Sequence, residues 1–379
     1  MIKFKLVFIF VTVALLSCIL CAQSTSHNFI HDGIQRNYLL YLPSNYQSNN
    51  EYPLVVNLHG YTSNAAQQEL LSGFNSIADT ANFIIVYPNG TLDNTNTTFW
   101  NAGYGASVDD IGFINTLIDT LAVNYSVDLD RVYATGLSNG SYMSNTLACE
   151  LNDRFAAIAS VAGGITNLQK NNCTTNNKIP VMHIHGTGDL VVSYNGIPGF
   201  APKIDDFVAF WVAHNGLNSG PTVEVIPDIN STDFSTAEIQ TYSSGNTDLE
   251  VKLYKVNNGG HSWPGSTFPF GVVTNQDFNA SAEIWKFFRK YKKGVLSTNI
   301  SRGVVNNPNH IYYDNSTYSL QMSLNETVNL SLYTISGKKV MQNKYDKGFH
   351  TLQLEKKGLY IVSYTSSSGS WSKKILRLN

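Results

Sequence analysis

Between residues 36 and 291 the chain alternates two apolar patterns. Short runs with apolar side chains at nearly every position read as strands, several of them buried on both faces. They fall at residues 36–42, 52–58, 83–87, 130–135, 155–161, 180–185 and 249–256. Between them lie longer segments whose apolar residues recur three and four apart. These predict helices over residues 64–81, 109–124, 141–151, 204–214 and 280–291. In the second helix Ile111, Ile114, Leu117 and Leu121 form one stripe, and in the third Met143, Leu147 and Leu151 do so. Strands alternating with helices predict an α/β domain: a mostly parallel sheet covered by helices on both faces.

The pattern changes at both ends. Residues 294–308 are polar and aperiodic and read as a linker. From Ile311 onward there are short strands and turns, at 328–333, 350–354, 359–365 and 374–378, with no helical period. This predicts a small all-β sandwich over residues 309–379. At the N-terminus Lys3 and Lys5 precede an apolar run over 6–20, short for a membrane span and followed by polar sequence from Gln23. It reads as a signal peptide cleaved after Ala22, with a lipoprotein box at Leu15-Leu16-Ser17-Cys18 as the alternative. The expected units are 1–22, an enzyme-sized domain 23–293, the linker, and the β domain.

Composition narrows the partners. The net charge of −2 comes with no basic stripe, which argues against nucleic acid. Charged residues are only 14% of the chain, and Asn, Ser, Thr and Tyr are abundant, as suits an exported protein with a hydrogen-bonding surface. Export implies oxidising conditions, so Cys149 and Cys173 are expected to pair. Several Asn-x-Ser/Thr triplets, including Asn139-Gly140-Ser141, follow from Asn and Thr richness and are read as incidental. No internal repeat is evident.

The stretch that organises the rest is Gly136-Leu137-Ser138-Asn139-Gly140, a G-x-S-x-G pattern set between a strand and a helix. A strand that turns sharply into a helix exposes its turn residue. The flanking glycines let neighbouring backbones approach. Ser138 would stand at a helix N-terminus, where free N–H groups and the dipole favour a developing oxyanion. A serine nucleophile needs a base, and the base needs a carboxylate to hold its tautomer. In α/β-hydrolases the chain order is Ser, Asp, His. Asp189, just past the strand at 180–185, is the acid; Asp205 and Asp206 sit at a helix start and read as capping. Of the four histidines after Asp189, His214 closes a helix and His310 and His350 fall in or near the β-rich tail. His261 lies in the glycine-flanked loop 257–265 and is the expected base. The oxyanion hole is expected from the N–H groups of Asn139 and Tyr61, with Thr62 the neighbour alternative and His59 shaping the loop. Trp100 and Trp263 are the expected substrate-binding aromatics, with Trp263 at the cleft rim. No Cys/His cluster has metal-ligand spacing.

The motifs LHG, VDDIGFI, GLSNG, HGTGD and GGHSWPG, in this order, resemble the α/β-hydrolase esterases that include polyhydroxybutyrate depolymerases, feruloyl esterases and acetylxylan esterases. The likeness covers about residues 28–291. It implies Ser138, Asp189 and His261 as the triad of a secreted carboxylic ester hydrolase that needs no metal or cofactor. Tyr61 departs from the pattern, since many members carry a small residue or Cys there. Asp109 and Asp110 belong to VDDIGFI, and helix capping accounts for them as well as any substrate role. The tail, through residues 332–338, 357–362 and 373–376, resembles the C-terminal sorting domain of the type IX secretion system; a carbohydrate-binding sandwich is the alternative. The functional expectation is release of acetyl or feruloyl groups from plant polysaccharide at the cell surface or outside the cell. Polyester depolymerisation is the second reading, and a non-catalytic surface binding protein the third.

Overall fold

The computed structural model describes residues 23–293, apart from 176 and 245–246, and residues 310–377, apart from 315–318, 335–337, 355–357 and 368. The expected cleavage after Ala22, the alternative at Cys18 and the linker 294–308 lie outside the described residues. Two compact units fall within residues 1–298 and 299–379.

In chain order the first unit holds β1 (Thr25–His31), β2 (Ile34–Tyr41), β3 (Tyr52–Leu58), α1 (Ala65–Ser72), α2 (Phe74–Ala81) and β4 (Ile84–Pro88). A two-stranded ribbon of β5 (Thr91–Leu92) and β6 (Thr98–Phe99) follows, then α3 (Asp110–Asn124), β7 (Val127–Leu137), α4 (Asn139–Glu150), β8 (Ala157–Val161) and α5 (Asn167–Asn172). The unit ends with β9 (Val181–Gly186), α6 (Ile204–Asn215), β10 (Ser219–Ile226), β11 (Thr236–Ser244), β12 (Thr247–Asn257) and α7 (Ala280–Phe288). Ten strands make one sheet in the order β1-β2-β4-β3-β7-β8-β9-β12-β11-β10. The six central strands β4 to β12 are parallel, and the strands outside them pair antiparallel.

Alternation along the strands divides the core. On β3, Leu54, Val56 and Leu58 face one layer and Val55 the other; on β4, Ile84 and Val86 oppose Ile85 and Tyr87. The first layer packs on α3, α4 and α6 through Phe113, Leu117, Met143, Leu147 and Trp211. The second packs on α1, α2 and α7 through Leu71, Phe74, Ile284 and Phe288. A strand apolar at every position is therefore one buried on both faces.

Some elements differ from expectation. The helix expected over 64–81 is two helices, because Gly73 adopts φ +60° and closes α1 by donating its N–H to Glu69. The helix expected to run to 291 ends at Phe288. The antiparallel edge strands β1 and β10 were not expected; β10 is exposed at nearly every position and carries no burial signature. Among the described residues the second unit contains two antiparallel sheets, of three and four strands. Leu320, Met322 and Leu324 from one and Val328, Leu330, Leu332, Val362 and Tyr364 from the other form a single apolar cluster, as a sandwich requires. No helix among the described residues is long and apolar enough to cross a membrane.

Candidate active site

Ser138 follows the last residue of β7 and caps α4 with φ +56° and ψ −115°, a conformation costly for a residue with a Cβ. Two bonds hold it there. Its N–H donates to Val161 O at 2.9 Å, and its carbonyl accepts from Tyr142 N at 3.1 Å. The bend also needs close packing. A Cβ on Gly140 would lie 2.2 Å from Leu58 O, and one on Gly136 would lie 2.6 Å from the same oxygen. Glycine at both positions lets α4 start against the end of β3. This brings the His59–Tyr61 loop beside the serine: a Cβ on Gly60 would stand 3.5 Å from Ser138 Cβ.

That loop is rigid. His59 is fully buried; its Nδ1–H donates to Gly60 O at 2.7 Å and its Nε2 accepts from Gly90 N at 2.9 Å. Burial pushes its pKa down to about 4, so the ring is neutral. Thr62 N donates to Thr98 O at 3.0 Å, and the Tyr61 hydroxyl donates to Asp93 Oδ2 at 2.7 Å. The Tyr61 side chain thus leans on the β5–β6 ribbon. Asn139, at the first position of α4, is fixed through its side chain: Oδ1 accepts from Trp100 N at 2.6 Å and Nδ2 donates to Trp100 O at 3.1 Å. First-turn N–H groups have no acceptor within the helix.

Asp189 lies three residues past β9 and is buried. Its Oδ1 accepts from the N–H groups of Val191 and Val192, both at 2.8 Å, and its Oδ2 from His261 Nδ1 at 2.8 Å. Burial pushes this carboxyl up, but the His261 and His185 contacts and the Val192 amide outweigh it, and the pKa falls below the usual carboxylate value. His261 is half-buried, four residues past β12. The two loops meet where a Cβ on Gly186 would lie 2.1 Å from Gly259 O, and Gly188 N donates to Gly259 O at 2.9 Å. Ser138, Asp189 and His261 therefore follow the carboxyl ends of parallel strands in one sheet, where open α/β sheets carry their sites.

The substrate-binding expectations need correction. Trp263 is 1% exposed and its Nε1–H donates to Ser281 Oγ at 3.0 Å, so the ring turns into the core against α7 instead of lining a rim. Trp100 is fully buried and donates to His59 O at 3.0 Å; it supports the loop and Asn139. The aromatics grouped on the first turns of α4, after the serine, are others. Tyr142, one turn into α4, packs against Tyr104 and Phe200 with ring centroids 6.3 and 5.7 Å away. The Tyr104 hydroxyl also accepts from Asn139 Nδ2 at 3.3 Å. Tyr104 and Phe200 are exposed, Tyr142 is buried, and its hydroxyl has no partner among the described residues. Three separate segments supply this wall, so only the serine-plus-four position of Tyr142 hinted at it. Asp109 caps α3 as expected, accepting from Gly112 N at 2.8 Å. Asp110 instead forms a buried ion pair with Arg36 at 2.6 Å and accepts from Asn101 N at 2.7 Å. Cys149 and Cys173 form a disulfide. Among the described residues no group of three or more His, Cys, Asp or Glu side chains is placed to hold a metal ion.

Comparison with known proteins agrees with this fold. The family described as Esterase PHB depolymerase matches residues 36–199, and the Secretion system C-terminal sorting domain matches 314–377. A Nocardia uniformis subsp. tsuyamanensis protein named as an esterase, NocK, is 30% identical over 233 residues, covering 58% of this chain and 67% of its own. Poly(3-hydroxyalkanoate) depolymerase C of Paucimonas lemoignei is 28% identical, over 61% of this chain and 59% of its own. Probable feruloyl esterase C of Aspergillus clavatus is 32% identical, over 44% of this chain and 60% of its own. The chain thus spans less than two thirds of the latter two. With its strand–serine–helix bend and its carboxylate–imidazole pair, this chain belongs to the PHB depolymerase family of esterases and carries a secretion-system sorting domain at its C-terminus.

Proposed function

We propose that this serine esterase is exported and removes short acyl or feruloyl groups from plant polysaccharide through an acyl-enzyme. Ser138 Oγ attacks the ester carbonyl carbon while its proton passes to His261 Nε2. The oxyanion forms against the N–H groups of Asn139 and Tyr61. His261 then gives the proton to the departing alkoxide, and water repeats the sequence to release the acid. Asp189 keeps His261 with Nδ1–H toward the carboxylate and steadies the imidazolium. The observation that carries this reading is the 2.8 Å His261–Asp189 bond in the same unit as a serine held at positive φ on a strand-to-helix bend.

The aromatic wall of Tyr104, Tyr142 and Phe200 supports acyl groups with a flat face over long alkyl chains. Polyester hydrolysis is the second reading, favoured by the depolymerase relative. The sorting-domain match supports delivery to the cell surface or beyond by a secretion machinery. The test is turnover on acetylated xylan, feruloylated arabinoxylan and polyester film, with Ser138→Ala alongside. The variant should lose about a million-fold in kcat. Wild-type turnover by Ser138→Ala would refute the mechanism, and faster attack on film than on either xylan would reverse the substrate order.

A further inference from the structure

Behind Asp189 lies a line of buried polar side chains that the chemistry above does not use. His183 and His185, two apart on β9, point to the same side of the sheet and are 0% and 1% exposed. Ser160 on β8 is in register with His183. Ser160 Oγ lies 2.7 Å from His183 Nδ1, His183 Nε2 lies 3.0 Å from His185 Nδ1, and His185 Nε2 lies 2.8 Å from Val192 O.

Every proton in this line can be assigned. A carbonyl oxygen only accepts, so His185 Nε2 carries hydrogen. Burial lowers the pKa of His185 to about 4 and that of His183 well below its usual value, so both rings are neutral. His185 Nδ1 is then bare and accepts from His183 Nε2–H. His183 Nδ1 is bare in turn and accepts from the Ser160 hydroxyl. Reversing the line would set a bare Nε2 against Val192 O, lone pair against lone pair.

The far end of the line reaches the acid. Val192, whose carbonyl His185 holds, donates its N–H to Asp189 Oδ1 alongside the N–H of Val191, so the anchored turn supplies both donors. His185 Nε2 is also 3.5 Å from Asp189 Oδ2, but its hydrogen is committed to Val192. The carboxylate can turn about its terminal bond unless Oδ1 is pinned. A turned carboxylate no longer presents Oδ2 to His261. We propose that His185 is a positioning residue: by holding Val192 it sets the rotation of the Asp189 carboxylate that orients His261. This rests on the reading of Ser138, Asp189 and His261 as the reacting set.

Two substitutions separate the arms of His185. His185→Gln can keep an amide N–H toward Val192 O. His185→Asn, one methylene shorter, reaches the Nδ1 position, keeps a partner for His183 and leaves Val192 unheld. His185→Asn is expected to lower kcat roughly tenfold to a hundredfold, the scale of a small misplacement at a reacting centre. KM for a chromogenic acetate ester should stay within about twofold, since ground-state binding is untouched. His185→Gln should recover most of kcat. Equal losses in both variants, or a loss in KM alone, would overturn the proposal, because a merely structural histidine does not discriminate between them. Nitrogen-15 spectra of the wild-type histidines test the line independently of either variant's folding. Both buried rings should carry hydrogen on Nε2 and none on Nδ1, and hydrogen on His185 Nδ1 would overturn it. Absence of any esterase turnover by the wild type would refute the reacting set, while the nitrogen spectra would still decide the line.

Discussion

Replacing Gly140 by Ala sets two known effects against each other at one atom. In a helix interior alanine is favoured over glycine by about 1 kcal/mol, an upper bound for Gly140 in the first turn of α4. Here the added Cβ would stand 2.2 Å from Leu58 O, 2.6 Å from Leu58 C and 2.7 Å from His59 O. These are backbone atoms of a central strand and of the loop after it, so no side chain can swing away. Relief to the 3.0 Å below which real Cβ contacts essentially never fall takes about 0.8 Å of relative movement between α4 and β3. Overpacking of this kind costs about 1–3 kcal/mol, which exceeds the helical gain, so the net sign is destabilising. The kinetic effect should be larger than the stability effect, because the same movement would separate the two N–H groups proposed to hold the oxyanion, those of Asn139 and Tyr61. A displacement near 1 Å at a reacting centre costs on the order of a hundredfold in rate. The assay is a burst titration with a chromogenic acetate ester beside a thermal melt. The expected result is a folded protein with a modestly lower midpoint and kcat reduced roughly a hundredfold. Full burst amplitude at wild-type kcat would refute the argument that close backbone packing sets the site.

Acid should weaken the fold through its buried histidines. His59 and His185 have folded pKa values of about 4, against about 6.5 unfolded, so the unfolded chain binds the extra protons between these values. The stability they contribute is whole above pH about 6.5 and lost as pH falls toward 4, up to about 3 kcal/mol each, readable in urea melts across that range. Trp263→Ala should cost about 3–5 kcal/mol by emptying a core site, with KM for a polymeric ester and a minimal ester changed alike; a selective rise for the polymer would restore the ring to the rim. Removing the disulfide by Cys149→Ser with Cys173→Ser should cost about 3 kcal/mol, given the 24-residue separation it closes, and denaturant midpoints of the two forms measure it. Deleting residues 306–379 should leave turnover of a soluble ester intact and stop export, as assayed by cell fractionation.

Much of the first unit was legible because its signals are local. Central strands such as β3 and β9 advertise themselves by being apolar on both faces, and Ser138, Asp189 and His261 each sit in a short motif beside such a strand. What was illegible depends on direction or on distant segments. Spacing placed Trp263 two residues from His261 but could not say that the intervening turn sends its ring to Ser281. Tyr104, Tyr142 and Phe200 meet from three loops and helices with no shared pattern. Asp110 looked like one more capping acid because its partner, Arg36, is 74 residues away. The edge strand β10 is polar and exposed, and pairing with β11 rather than burial keeps it extended.

The parallel centre of the sheet has a consequence for how such enzymes change. Strands β7, β9 and β12 lead within one to four residues into Ser138, Asp189 and His261, while the aromatic wall comes from residues outside every strand. On the proposed reading, bond-breaking and most of the selection of the acyl group are therefore inherited on separable pieces of chain, since of the wall only Tyr142 shares a helix with the serine turn. Segments 101–108 and 193–203 can be exchanged or lengthened without touching a ladder bond of the six central strands or the Val191 and Val192 amides that hold Asp189. Substrate range can drift quickly in such a scaffold while the reaction itself stays fixed.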